Sequence, residues 1–132
     1  MTGPYPVLAG LRILLVEDDL LVSMMIEETL LELHCVLVAA VRTVDTALDA
    51  IRGHETGIDG VLLDLHLGGR SSAPVVDALL RCSLPFVVTS GSAVGADTPS
   101  SVVSAPWLMK PFTVDMLARR MTEAFGPSGV AK

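Results

Sequence analysis

The sequence predicts an α/β protein built on a doubly wound, five-stranded parallel sheet, and three observations carry that prediction. Short apolar runs recur along the chain. Segments with apolar residues at helical spacing lie between them. Polar or charged residues stand at the carboxyl end of each run. Arg12-Ile13-Leu14-Leu15-Val16 leads into Glu17-Asp18-Asp19, and Gly60-Val61-Leu62-Leu63 leads into Asp64. Pro85-Phe86-Val87-Val88 leads into Thr89-Ser90, and Trp107-Leu108-Met109 into Lys110-Pro111-Phe112. Apolar runs this short, bounded by polar residues, read as buried strands of a parallel sheet.

The first strand is Arg12 to Val16. Leu20 to Leu33 then places Val22, Met25, Ile26, Thr29, Leu30 and Leu33 at the spacing of a helix packed by one face, with Asp19 set to cap it. Cys35 to Val41 is rich in β-formers and reads as the second strand. Thr43 can cap a helix through Val44, Ala47, Leu48 and Ile51, which Gly53 ends. Ile58 to Leu63 reads as the third strand. Ser71 or Ser72 caps the next helix, Pro74 is tolerated in its first turn, and Val75, Val76, Leu79 and Leu80 form its apolar face. Phe86 to Thr89 and Trp107 to Met109 are the fourth and fifth strands. Thr113 caps a last helix with Val114, Leu117, Ala118, Met121 and Phe125 on one stripe, stopped by Gly126-Pro127. From Gly91 to Ala105 the chain is rich in Ser, Gly and Pro and shows no helical stripe, so a helix between the last two strands is expected to be short or missing. The alternation of strand and helix implies right-handed crossovers.

At 132 residues the chain is expected to form one domain with a real core. Its hydrophobic content of 51% and mean hydropathy of +0.59 are high, yet the longest apolar run, Cys35 to Val41, is too short to span a bilayer. Buried parallel strands account for the excess. The opening MTGPYPVLAG has neither a basic region nor a long apolar segment, so no signal peptide and a cytoplasmic location are expected. The net charge of −6 disfavours nucleic-acid binding, which needs a basic footprint. Cys35 and Cys82 have no metal or redox spacing and read as small hydrophobes rather than a disulfide.

In open α/β sheets, ligands bind beyond the carboxyl ends of the strands. Glu17, Asp18, Asp64, Thr89 and Lys110 are therefore expected to converge at one edge. Carboxylates, a hydroxyl and an ammonium in one place suit a hard cation and a phosphoryl group. An aspartate can accept a phosphoryl group when a metal and a cationic side chain neutralise the incoming charge. Without the metal, clustered carboxylates repel, and some are driven toward the protonated form.

These residues, in this order at these strand ends, resemble the receiver domain of two-component response regulators from Leu11 to Phe125. The resemblance implies a flavodoxin-like strand order 2-1-3-4-5. It divides the chain into an N-terminal extension (1–10), the receiver unit (11–126) and a tail (127–132). It implies that Asp64 is the phospho-acceptor. It also implies that Glu17, Asp18 and Asp64, with the backbone carbonyl of His66, hold Mg2+. Thr89 and Lys110 would meet the phosphoryl oxygens, and Trp107 falls where the family often has an aromatic switch residue. The bond before Pro111 is usually cis in the family. Asp64 is followed by LHLGGRSS instead of the common Met-Pro, and Thr89 by Ser90-Gly91 instead of Ala, which together resemble an atypical subgroup.

The expected role is a stand-alone receiver phosphorylated by a sensor histidine kinase or histidine phosphotransfer protein. It would signal by contact with an unidentified protein through the last helix, the fifth strand and the Ser-rich loop. No nucleic acid or membrane is expected as a partner. A phosphate sink that drains a kinase is a rival within the binding class. A Mg2+-dependent phosphatase with an aspartyl-phosphate intermediate is a rival in the enzyme class. Such enzymes usually carry a second Asp two residues after the nucleophile, where this chain has His66. A flavin-binding protein is disfavoured because an acidic pocket repels phosphate unless a cation is present.

Overall fold

The computed structural model describes residues 5–53, 57–91 and 105–126. Its elements run β1 (Arg12–Val16), α1 (Leu20–Glu32), β2 (Val36–Val41), α2 (Val44–Gly53), β3 (Gly60–Asp64), β4 (His66–Leu67), β5 (Arg70–Ser71), α3 (Ala73–Arg81), β6 (Phe86–Ser90), β7 (Trp107–Met109) and α4 (Val114–Phe125). Five strands form a parallel sheet in the order β2-β1-β3-β6-β7. Counted within the sheet alone, this is the 2-1-3-4-5 order expected. The short or missing helix expected between the last two strands falls mostly on residues 92–104, outside the described residues.

Strand alternation divides the core in two. Leu14 and Val16, Val61 and Leu63, and Phe86 and Val88 pack with α2 and α3 on one face of the sheet. Ile13 and Leu15, Leu62, Val87 and Leu108 pack with α1 and α4 on the other. Leu8, on a 3-10 turn at Pro6–Leu8, is fully buried in this second core. The helix starts follow the chemistry of their caps. Asp19 accepts from the amides of Leu21 and Val22, Thr43 from Thr46 and Thr113 from Met116. At α3, Ser71 Oγ accepts from the Ala73 amide, while Ser72 at the cap position makes no side-chain cap bond.

Leu80 on α3 and Val114 on α4, expected on apolar faces, are exposed, and the second strand starts at Val36 rather than Cys35. Three further departures bear on the fold. The third strand begins at Gly60, not Ile58. Asp59 instead turns its carboxylate onto the Arg12 amide at 2.7 Å and onto the Arg12 guanidinium at 3.1 Å. Helix α1 buries Ser23, Ile26, Thr29 and Leu30, whereas Met25 is exposed, together with Leu20, Leu21, Met24 and Leu31. Ser23 and Thr29 can be buried because their hydroxyls donate within the helix, to Glu27 and to the Met25 carbonyl. The third departure is an additional antiparallel hairpin, β4–β5, directly after Asp64.

Packing requires a glycine at Gly60, as it does at Gly126, where a Cβ would meet the Thr122 carbonyl. A Cβ at Gly60 would meet ring carbons of the buried Phe125 at 2.7 Å. Gly60→Ala is expected to lower stability by about 1–3 kcal/mol through overpacking, read from the urea midpoint. Phe125→Leu added to it should recover part of the loss. An unchanged midpoint in the single variant would mean that the ring swings clear.

Candidate functional site: an acidic pocket at the carboxyl edge of the sheet

Glu17, Asp64, Thr89 and Lys110 continue the alternation of Leu15, Leu62, Val87 and Leu108. Each is therefore directed toward the α1–α4 side of the sheet, at its carboxyl edge. Asp64 and Thr89 are register partners in β3 and β6, and both are buried. Lys110 follows β7, where its amide donates to the Ser90 carbonyl at 2.7 Å. The Lys110–Pro111 bond is cis.

The carboxylates of Glu17, Asp18 and Asp64 each bring one oxygen within 4.8 Å of the others. Glu17 is 1% exposed and Asp64 6%. Lys110 Nζ lies 2.8 Å from Glu17 Oε1 and 3.2 Å from Asp64 Oδ2. The first contact is an ion pair without the alignment of a hydrogen bond. The second is a hydrogen bond as well. Backbone donors complete the pocket. The Asp19 amide donates to Glu17 Oε2 at 3.1 Å, the His66 amide to Asp64 Oδ1 at 3.3 Å, and the Gly68 amide to Asp18 Oδ2 at 2.9 Å.

The charges are unbalanced: three carboxylates face one ammonium. Burial first, and then the neighbouring Glu17, push the Asp64 carboxyl up to about 7 against the opposing pull of Lys110. Asp18 is held below its ordinary value. Burial pushes it up, but the Gly68 amide and the other hydrogen bonds around it prevail. Burial likewise disfavours the charged form of Lys110, yet Glu17 and Asp64 together raise it, so it stays an ammonium. A pocket with surplus negative charge and hard oxygen donors fits a hard divalent cation. Among the described residues this is the one cluster of that kind.

The expected residues do not all meet. Glu17, Asp18, Asp64 and Lys110 are joined by the contacts above, and Thr89 sits beside Asp64 in the sheet. Trp107 is half-buried and packs against the α2–α3 core, on the face opposite the α1–α4 core. The His66 side chain is exposed, and its backbone amide reaches the pocket. The two backbone donors from the hairpin are absent from the sequence reading. Their signal was available: Gly68-Gly69 between short alternating flanks favours a two-residue hairpin turn. The cysteines are not joined; Cys35 is buried, which pushes its thiol up to about 11, and Cys82 is half-buried. No described helix is long and apolar enough to cross a membrane.

Three solved structures are informative neighbours. SdrG from Sphingomonas melonis Fr1 is 39% identical with a TM-score of 0.72, over 86% of this chain and 94% of that one. The BeF3-activated conformation of SdrG from Pseudomonas melonis Fr1 is 38% identical with a TM-score of 0.70, over 86% and 95%. A response regulator receiver protein from Sinorhizobium medicae WSM419 is 26% identical with a TM-score of 0.73, over 86% and 93%. No protein-family model matches the chain, nor does any curated protein sequence. The fold order, the pocket at the strand ends and the identity to SdrG agree: the chain belongs to the receiver domains of response regulators.

Proposed function

We propose that this receiver accepts a phosphoryl group on Asp64 in a two-component or phosphorelay pathway and signals through protein contact. The observation that carries the proposal is Lys110 Nζ bridging Glu17 and Asp64 beside Asp18. The donor would be a phosphohistidine on a sensor kinase or phosphotransfer protein. A carboxylate oxygen of Asp64 attacks phosphorus, a P–O bond forms, and the P–N bond to the donor imidazole breaks with its electron pair left on nitrogen. The product is a mixed anhydride, an aspartyl phosphate.

Glu17, Asp18 and Asp64, with the His66 carbonyl, are the groups that would hold Mg2+. When bound it neutralises charge on the carboxylates and on the incoming oxygens. Lys110 is already at hydrogen-bonding distance from the acceptor, so its ammonium can pair with a phosphoryl oxygen after a small displacement. Thr89 supplies a hydroxyl residue at the register position beside Asp64. SdrG supports the reading, because its BeF3-activated conformation records a response to a phosphoryl mimic.

Treatment of the wild-type chain with acetyl phosphate and Mg2+ should form one hydroxylamine-labile acyl phosphate, with acetate as the leaving group. EDTA should suppress the product by about tenfold or more, since the acceptor would then meet the dianion without metal neutralisation. Equal incorporation with and without EDTA would remove the metal from the reaction. No incorporation under either condition would remove the acceptor role.

A further inference from the structure

The β4–β5 hairpin stands outside the five-stranded sheet, yet it supplies two donors to the acidic pocket. Along an extended chain the amides of residues i and i+2 point to the same edge. The His66 amide serves Asp64, and the Gly68 amide, at the turn, serves Asp18. The hairpin is anchored from below. Leu67 is buried in the α2–α3 core, and the Ser72 amide closes the base on the Leu65 carbonyl at 2.9 Å.

The turn itself depends on two left-handed residues. Gly68 has φ +58° and Gly69 φ +82°, the signs that a two-residue type I′ turn requires at both positions. A Cβ at either would meet nothing within 4 Å. Substitution there therefore strains the backbone torsion without creating a clash, so the turn can be disturbed separately from packing. Asp18 needs such support. It lies past the end of β1, is only half-buried, and has side-chain torsions that must be fixed for its carboxylate to stay with the other two.

We infer that the His66–Ser71 hairpin is a positioning element for the cation pocket, in which the turn holds the Gly68 amide where it fixes one oxygen of Asp18 and leaves that carboxylate oriented toward Glu17 and Asp64. The inference rests on the reading of the pocket as a Mg2+ site. Donors that orient metal ligands from outside the coordination sphere commonly influence affinity by ten- to a hundredfold. The coupling is reciprocal: whatever the hairpin contributes to cation binding, the cation contributes to the hairpin.

The test is a calorimetric Mg2+ titration of the unphosphorylated full chain as wild type, Gly68→Asn and Gly68→Val. It is joined to amide exchange across residues 66–71 with and without Mg2+. Asn tolerates the left-handed region, whereas a β-branched residue does not. Gly68→Val is expected to weaken Mg2+ binding about tenfold, and Gly68→Asn by less than about threefold. Thermal unfolding reports whether each variant is folded, with Gly68→Ala replacing any Val variant that is not. In the wild type, the Gly68 amide is expected to exchange more slowly once Mg2+ is bound. Wild-type affinity in a folded Gly68→Val (or its Ala replacement), or Gly68 exchange insensitive to saturating Mg2+, would overturn the positioning role alone. A wild-type chain with no measurable Mg2+ binding would overturn the cation reading, and this inference with it.

Discussion

Asp64→Asn is expected to reduce phosphoryl incorporation from acetyl phosphate and Mg2+ to below about 1% of wild type, because the amide lacks the anionic oxygen that forms the new bond. Loss of folding is not an alternative explanation, since the same substitution removes one of three crowded carboxylates. Without Mg2+ the variant should melt at or above the wild-type temperature. Its Mg2+-dependent rise in melting temperature should largely vanish, because a ligand stabilises only through the site it binds. The two readouts therefore move in opposite directions. Wild-type labelling of the variant would place the acceptor elsewhere. A retained Mg2+ shift would place the cation elsewhere.

The second large effect is on stability. Lys110→Ala leaves Glu17 and Asp64 facing each other at the sheet edge without their ammonium. Removing one partner of a buried ion pair typically costs about 3–5 kcal/mol, most of it the uncompensated charge left behind. The loss should depend on pH. Asp64, pushed by burial and then by Glu17 up to about 7, binds its proton more tightly folded than unfolded. Such a group contributes stability that is complete below its unfolded value and lost as pH rises through its folded one. In EDTA, wild-type stability should therefore fall between about pH 4 and about pH 8. The Lys110→Ala deficit should be largest near pH 8 and shrink near pH 5, where Asp64 holds a proton. Urea unfolding at the two pH values measures it. A deficit of equal size at both would show that Lys110 acts by packing rather than charge.

The location of the pocket was legible because it follows from where apolar runs stop, whereas the sheet order came from the resemblance to receiver domains. Val16, Leu63 and Met109 are each followed by a charged residue that ends the apolar run, and Glu17 and Asp64 are buried there because they meet Lys110 and backbone donors. The helix caps at Asp19, Thr43 and Thr113 were legible for the same local reason. What was lost depended on competition between segments. Helix α1 is apolar on several sides, so periodicity found Ile26, Thr29, Leu30 and Leu33 but also assigned the exposed Met25 to the buried face. It missed Ser23, whose buried hydroxyl donates to Glu27 within the helix. Asp59 left the third strand for a partner on β1, far away in sequence. The hairpin lay in two consecutive glycines, whose meaning depended on a turn type that the flanking residues indicate only weakly.

The division of the interior by the sheet has a further consequence. Val61 and Leu63 belong to a different buried cluster from Leu62, although they adjoin it in the chain. The sheet thus separates two packed clusters, with only the shared strand backbones between them. To first approximation, energies of paired substitutions should couple within a side and add across it. The side chains of the polar edge lie on the α1–α4 side, while the hairpin that donates to them is seated through Leu67 on the other. The α2–α3 compartment can therefore drift in sequence and swap volumes with less effect on the chemistry, except around Leu67, which seats the hairpin. The first compartment lacks that freedom, because its walls also shape the pocket.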